Sequence, residues 1–178
     1  MKIQSLKYFF IAAVVVGVVA CKDDDDKKDG PEGKNKTALN DFAYSNNAEV
    51  DMGQLANTKG TSAGVKAFAQ MMVMDHQKAQ NDLDTIADNR NIDLASDLKT
   101  MDKATRDSID KFTSARFDSA YIKSQIVAHT RTKNMFTAFR DSSTDASLKA
   151  YVNRYLPKVQ QHLQKADSIF TVIRNAPK

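Results

Sequence analysis

The chain of 178 residues is poor in several residue types that other protein classes require. It has no tryptophan, only six glycines and only three prolines, too few for the many tight turns of a β-sandwich or barrel. Its one cysteine, Cys21, excludes an internal disulfide and leaves the folded part without a cysteine nucleophile. This composition, rich in alanine, leucine, lysine and aspartate, favours an all-α domain.

An excess of charge of one sign is also lacking. The chain has 26 Lys and Arg residues and 22 Asp and Glu residues, which gives a net charge of +4. Two of the lysines, Lys2 and Lys7, lie in a leader. The basic residues are scattered among aspartates, a pattern that disfavours a nucleic-acid-binding surface. We expect no nucleic acid among the partners, and the sequence indicates no particular protein partner.

The first twenty-one residues are typical of a lipoprotein signal. Lys2 and Lys7 precede an apolar run from Tyr8 to Ala20, which is shorter than the ~20 residues of a membrane-spanning helix. The run ends as a bacterial lipobox does, at a cysteine that is lipidated and becomes the mature N-terminus. We predict a signal peptide over residues 1–20 and a membrane anchor at Cys21. The alternatives are an uncleaved anchor or an ordinary secretory signal.

A charged stretch from Lys22 to Lys34 follows the cysteine. It has nothing that can bury apolar surface, so residues 21–36 are predicted to be a disordered tether that carries the lipidated cysteine. The Lys-Asp-Asp start resembles the export signal of Gram-negative lipoproteins on the outer face of the outer membrane. We therefore expect an exported outer-membrane lipoprotein exposed at the cell surface; a plain charged spacer and the periplasmic face are the alternatives.

Apolar positions spaced by three and four residues predict five helices in the folded domain, residues 37–178. The predicted ranges are 38–59, 62–90, 94–112, 115–140 and 145–173. Pro157 predicts a kink near Asn153 in the last helix. The first two and the last two helices form hairpins, joined by a third helix long enough to span their length. The predicted fold class is all-α, a ferritin-like up-down-down-up four-helix bundle with an additional connecting helix.

All three histidines of the chain fall on apolar helix seams. His76, His129 and His162 belong to the second, fourth and fifth predicted helices, and Glu49 lies on the inward face of the first. Neutral imidazoles and one carboxylate suit Zn²⁺, Cu²⁺ or Fe²⁺. The sequence predicts one transition-metal site of these three histidines, with Glu49 as a possible fourth ligand.

Four further residues are predicted to orient the ligands: Asp75, Asp118, Tyr121 and Gln125. The alternative is that such neighbours satisfy the histidines as ordinary buried polar residues. In that case the protein is a structural or interaction module of the cell envelope. Met72, which faces inward next to His76, is predicted to be core packing, with copper ligation as a minor alternative.

Enzymatic activity has little support. A ferritin-type di-iron site needs Glu-x-x-His motifs, but Val73, Ile126 and Val159 stand three residues before the histidines. No serine or threonine occupies a recognisable nucleophile setting. A metal-dependent oxidoreductase is therefore the weakest alternative.

Several blocks resemble a bacterial family of exported proteins of unknown function, often labelled predicted outer membrane protein. The blocks run from Asn47 to Val50, from Phe68 to His76, from Phe117 to Tyr121 with Gln125 and His129, and from Leu156 to Leu163. The resemblance spans residues 41–170 and implies a ferritin-like helical bundle on an exported protein. It implies no established activity.

Overall fold

The computed structural model describes residues 30–176. They form five α-helices: α1 Pro31–Lys59, α2 Ala63–Asp88, α3 Thr100–Asp110, α4 Ser114–Ser142 and α5 Ala146–Asn175. The described residues contain no strand, which confirms the all-α prediction. The predicted signal peptide over 1–20 and the lipid attachment at Cys21 lie outside the described residues and stay predictions.

The first helix begins seven residues earlier than predicted. Pro31 stands at its first position, where the fixed φ of proline suits a helix, and Gly30 is the N-cap. Asn35 donates a hydrogen bond of 2.9 Å to Asp145, at the start of α5. Residues 31–36 therefore form the first turns of α1, and the prediction that they belong to a disordered tether is wrong.

The connection between α2 and α4 differs most from the prediction. The helix predicted over 94–112 is wrong in its first turn and a half, because α3 begins only at Thr100. The backbone N–H of Ala95 donates to Asn40 and its carbonyl accepts from Asn47, each at 2.9 Å. These bonds to α1 satisfy polar backbone groups that have no helical partner. The other helix ends lie within two residues of the prediction.

Two capping residues organise the helical hairpins. Ser62 accepts from the backbone N–H of Val65 at the start of α2, and Asp145 caps α5 and also receives two 2.8 Å bonds from Arg90. α1 packs along α2 and α4 along α5, with further contacts between α2 and α5 and between α1 and α4. α5 continues through Pro157 as one helix. None of the helices in residues 30–176 has an apolar stretch long enough to cross a bilayer.

Two apolar clusters fill the interior of this helical bundle. The first contains Leu39, Phe42, Leu83, Phe136, Leu148 and Val152 with their neighbours. The second contains Met52, Phe68, Met72, Phe117, Tyr121, Ile122 and Ala166 with theirs. Between the two, on every long helix, lie seven buried polar residues that we call the polar layer: Asn46, Glu49, His76, Gln125, His129, Thr132 and His162.

Gly53 allows α1 to approach α2 closely. A Cβ atom at this position would lie 2.8 Å from Val73 Cγ2 and 3.0 Å from the carbonyl oxygen of Ala69. Both distances are shorter than ordinary van der Waals contact, and one of the atoms belongs to the backbone. The spacing of this helix pair therefore depends on the missing side chain.

We expect Gly53→Ala to lower the free energy of unfolding by a net ~1–2 kcal/mol, because overpacking outweighs the helix propensity gained. Gly64→Ala is the control, because a Cβ there meets no atom within 4 Å, and it should be neutral or stabilising. Urea denaturation of both variants measures the difference. Equal effects of the two substitutions would contradict the close-approach interpretation.

Candidate metal centre

The three histidines meet in the polar layer. One ring nitrogen from each of His76, His129 and His162 lies within 4.8 Å of the other two. The ring centroids are 5.3 to 5.5 Å apart, and the residues are only 5%, 1% and 1% exposed. Helices α2, α4 and α5 each contribute one ring. The prediction that these side chains converge is confirmed.

The outer nitrogen of each ring faces an oxygen acceptor. His129 Nδ1 donates to the backbone carbonyl of Gln125 at 3.0 Å. His162 Nε2 donates to Asp75 Oδ2 at 2.9 Å. His76 Nδ1 lies 3.2 Å from Asn46 Oδ1. Because a neutral imidazole carries one N–H, these three bonds fix the tautomer of each ring.

In neutral rings with these outer bonds, the inner nitrogens are the unprotonated ones. His129 Nε2 and His162 Nδ1 face each other at 3.3 Å, so two lone pairs point at one another. His76 Nε2 has no hydrogen-bond partner among residues 30–176. Three basic nitrogens without donors thus converge in a water-poor interior, an arrangement that a bound cation would stabilise.

Asn46 contacts the histidine centre, and the sequence had not indicated a role for it. Its amide nitrogen donates to Gln80 Oε1 at 3.2 Å and to the Tyr151 hydroxyl at 3.0 Å. Both bonds turn the Asn46 carbonyl oxygen toward His76, and so determine which nitrogen of that ring carries the proton. The available signal was the position of this asparagine within the apolar stripe of α1.

Asp75 connects the buried site to the surface. Its side chain is 26% exposed, and its carboxylate accepts from His162 and lies 3.4 Å from Lys158 Nζ. A carboxylate that accepts from the outer nitrogen of a ligating histidine raises the basicity of the inner one. Asp75 thus contacts a histidine of the centre, and its role as an orienting residue stays a prediction.

Glu49 lies behind His129. Its Oε1 atom is 3.6 Å from His129 Nδ1, the nitrogen that faces away from the other two rings. The group of converging ligand atoms contains only the histidines. Burial raises the pKa of the Glu49 carboxyl, against the opposing effects of His129 and of the Gln125 side chain. Gln125 itself contacts the centre through its backbone carbonyl.

Two of the predicted orienting residues hydrogen-bond none of the histidines. The Asp118 carboxylate accepts from the backbone N–H groups of Thr61 and Ser62 and from the Thr61 hydroxyl, at 2.7 to 2.9 Å, so it fixes the α1–α2 connection instead. The Tyr121 ring stacks on Phe117, and its buried hydroxyl has no hydrogen-bond partner within residues 30–176. The predicted role is wrong for Asp118 because that side chain lies at the hairpin end of the bundle.

A small cavity adjoins the histidines. It measures about 10 Å³, and its lining includes His76, His162, Asn46, Asp75 and Tyr151. A space near this size holds roughly one water molecule or one ion. The cavity is therefore matched to a single small species beside two of the three rings.

Comparison with known protein families assigns the chain to one family. A family model described as Domain of unknown function (DUF4142) matches residues 22–169. The chain belongs to this family. The match confirms the predicted resemblance to a family of unknown function, and it includes every residue of the polar layer. No curated protein and no solved structure matched the chain.

Burial keeps two of these histidines neutral. It lowers the pKa of His76 well below its usual range, and the nearby His129 and His162 lower it further. For His162, burial lowers the pKa from 6.5 to about 4, although the hydrogen bond to Asp75 opposes this shift. Neutral rings keep their lone pairs available as ligands near neutral pH.

The lowered pKa of His162 predicts an acid-sensitive fold for the metal-free protein. Between pH 6.5 and about pH 4 the unfolded chain binds more protons at this residue than the folded chain does. Stability should therefore fall as the pH is lowered through this window. His162→Gln removes this titrating group, so its melting temperature should fall less between about pH 7 and about pH 4.5. Thermal denaturation monitored by circular dichroism measures both slopes, and equal slopes would contradict the prediction.

Proposed function

We propose that this protein is an exported, membrane-anchored lipoprotein whose helical bundle binds one transition-metal ion through His76, His129 and His162. The observation that carries the metal proposal is that His129 Nε2 and His162 Nδ1 face each other at 3.3 Å while the other nitrogen of each ring is bonded to an oxygen acceptor. Two unprotonated nitrogens at that distance repel each other in a low-dielectric interior. An ion between them turns the repulsion into two coordination bonds.

The distances suit such an ion. Two nitrogens bound to one tetrahedral ion at ~2.05 Å lie about 3.3 Å apart. His129 Nε2 and His162 Nδ1 already have this separation, while His76 lies within 4.8 Å of both. A small ring movement of His76, next to the 10 Å³ cavity, completes a three-histidine site.

Outer hydrogen bonds hold this ligand set in place. Asp75, Asn46 and the Gln125 carbonyl each bind the outer nitrogen of a different ring. Glu49 lies behind His129, close to the ring nitrogen that faces away from the ion. It is not needed as a fourth ligand, because zinc is commonly bound by three protein ligands and one water molecule. Neutral imidazoles accept Zn²⁺, Cu²⁺ and Fe²⁺, so the ion is one of this class.

The helix directions support the ferritin-like part of the proposal. α1 and α5 contribute to the first apolar cluster near their N-termini and to the second near their C-termini, whereas α2 and α4 do the reverse. α2 and α4 therefore run parallel to each other and antiparallel to α1 and α5, the up-down-down-up order. The crossover from α2 to α4 is the 89–99 segment together with α3.

Metal titration of the chelator-treated protein tests the site. We expect one equivalent of Zn²⁺, Cu²⁺ or Fe²⁺ per chain by equilibrium dialysis and elemental analysis, and a rise in melting temperature as the metal is added. His76→Ala, His129→Ala and His162→Ala should each abolish stoichiometric binding. Asp75→Asn should weaken it by about 10–100-fold, because the outer hydrogen bond is lost.

Asp88→Asn is the matched control, because Asp88 is an exposed acid on the same helix. It should bind metal like the unmodified protein. Absence of stoichiometric metal, or equal binding by the histidine variants, would refute the proposal. Such a result would leave the histidines as a hydrogen-bonded structural layer of an envelope module.

The lipid anchor is tested separately. The support for it is the leader, in which Lys2, Lys7 and a short apolar run precede Cys21. We expect the exported protein to partition into detergent and to incorporate labelled fatty acid, and Cys21→Ala to lose both properties. Labelled fatty acid in the Cys21→Ala variant would contradict attachment at this residue. Protease treatment of intact cells then distinguishes the cell surface from the periplasmic face.

A further inference from the structure

A groove on the bundle surface opens above Glu49, on the side away from the three converging nitrogens. It lies between α1, α3 and α4 and has a volume of about 500 Å³. Its walls include Ala48, Met52, Met101, Val127 and Ala128. Met101 and Val127, on its two sides, are among the large apolar side chains that are most exposed to solvent. Apolar walls and this volume are typical of small-molecule sites.

The polar side chains at the rim of the groove already have partners. Arg131 donates to Asp102 at 3.0 Å, and Lys123 Nζ lies 5.2 Å from the centre of the Phe170 ring. The hydroxyls of Ser45, Thr105 and Ser124 are each in a hydrogen bond. These rim side chains therefore do not require a ligand to satisfy them.

The floor of the groove is different. Glu49 and Gln125 are 3% and 1% exposed, and both line the groove. Glu49 Oε2 and Gln125 Oε1 have no hydrogen-bond partner among residues 30–176. With the Glu49 carboxyl ionised both atoms are acceptors, so the group missing from the floor is a donor. Both atoms lie just beneath the groove surface, so their side chains must turn slightly to meet it. Buried acceptors without a donor cost free energy that a suitable ligand recovers.

The residues of the groove indicate which kind of hydrogen-bond donor a ligand would carry. Two oxygens among apolar walls are too few for a hard metal ion such as Ca²⁺, which takes 6–8 oxygen ligands. A primary ammonium group supplies several N–H donors together with a positive charge beside a buried carboxyl. An apolar body attached to it would cover Met52, Met101 and Val127.

We propose that this groove binds a small organic amine, with its ammonium group on Glu49 and Gln125 and its apolar body along the methionine-lined walls. The site is distinct from the histidine centre and does not require a metal ion. Glu49 and Gln125 contact both, because Glu49 Oε1 lies near His129 and the Gln125 backbone carbonyl accepts from the same ring. We therefore expect that a ligand in the groove changes the affinity of the centre for a metal ion, and that a bound metal ion changes the affinity of the groove by the same factor.

Benzylamine added to the metal-free full-length protein tests the proposal. We expect saturable binding with a Kd on the order of 1 mM, within the range of ligand efficiency for so small a molecule. Benzyl alcohol, which has the same shape without the charge, should bind at least tenfold more weakly. Calorimetry gives the affinities, and ¹³C-methyl-methionine NMR locates the ligand. The Met52 and Met101 signals should shift, while that of Met74, exposed elsewhere, should not.

Glu49→Gln should weaken benzylamine binding at least tenfold. Glu32→Gln is the matched control, because Glu32 is the only other glutamate and is exposed on the first turn of α1. Ala128→Phe, which fills the groove from its wall, should abolish binding and gives a second test if Glu49→Gln folds poorly. Absence of saturable binding, equal affinity for the alcohol, or unchanged affinity in the Ala128→Phe variant would overturn the proposal. None of these outcomes depends on whether the histidines hold a metal.

Discussion

A backbone carbonyl can only accept a hydrogen bond, and this constraint determines the chemistry of the polar layer. Because the Gln125 carbonyl takes the Nδ1 proton of His129, the other nitrogen of that ring is a bare lone pair aimed at His162. Asp75 imposes the same state on His162, and Asn46 imposes it on His76. The geometry of the centre is thus set by acceptors outside the ring cluster, before any ion is considered.

Burying this polar layer destabilises the fold, and the packing of the two apolar clusters offsets that loss. Seven polar side chains are buried at mid-height of the bundle, and Glu49, His76 and Gln125 each retain an atom that has no hydrogen-bond partner within the described part of the chain. Buried polar atoms without partners are rare in folded proteins, and each one needs an explanation such as a bound water, an ion or a functional role. Aromatic contacts such as that between Phe42 and Phe136, with ring centroids 4.9 Å apart, strengthen the cluster on one side of the layer.

What the sequence could predict was local. Helical periodicity placed His76, His129 and His162 on inward faces, and their convergence followed once the helices packed. The roles of Asp118 and Asn46 were out of reach, because both depend on which helix end or ring lies opposite them. The late start of α3 has the same origin, since the bonds that hold the preceding segment come from Asn40 and Asn47, about fifty residues earlier in the chain. A pattern within one segment contains no information about such partners.

The division of the interior into two clusters has a consequence for cooperativity. Proteins open in contiguous units, and a division of this bundle at the polar layer would give one unit at each end. The histidines lie at the boundary, so the opening of either unit would admit water to them. An ion held there by α2, α4 and α5 would oblige both units to open together. Amide hydrogen exchange would then change from two separate protection levels at the two ends of the bundle to one shared level.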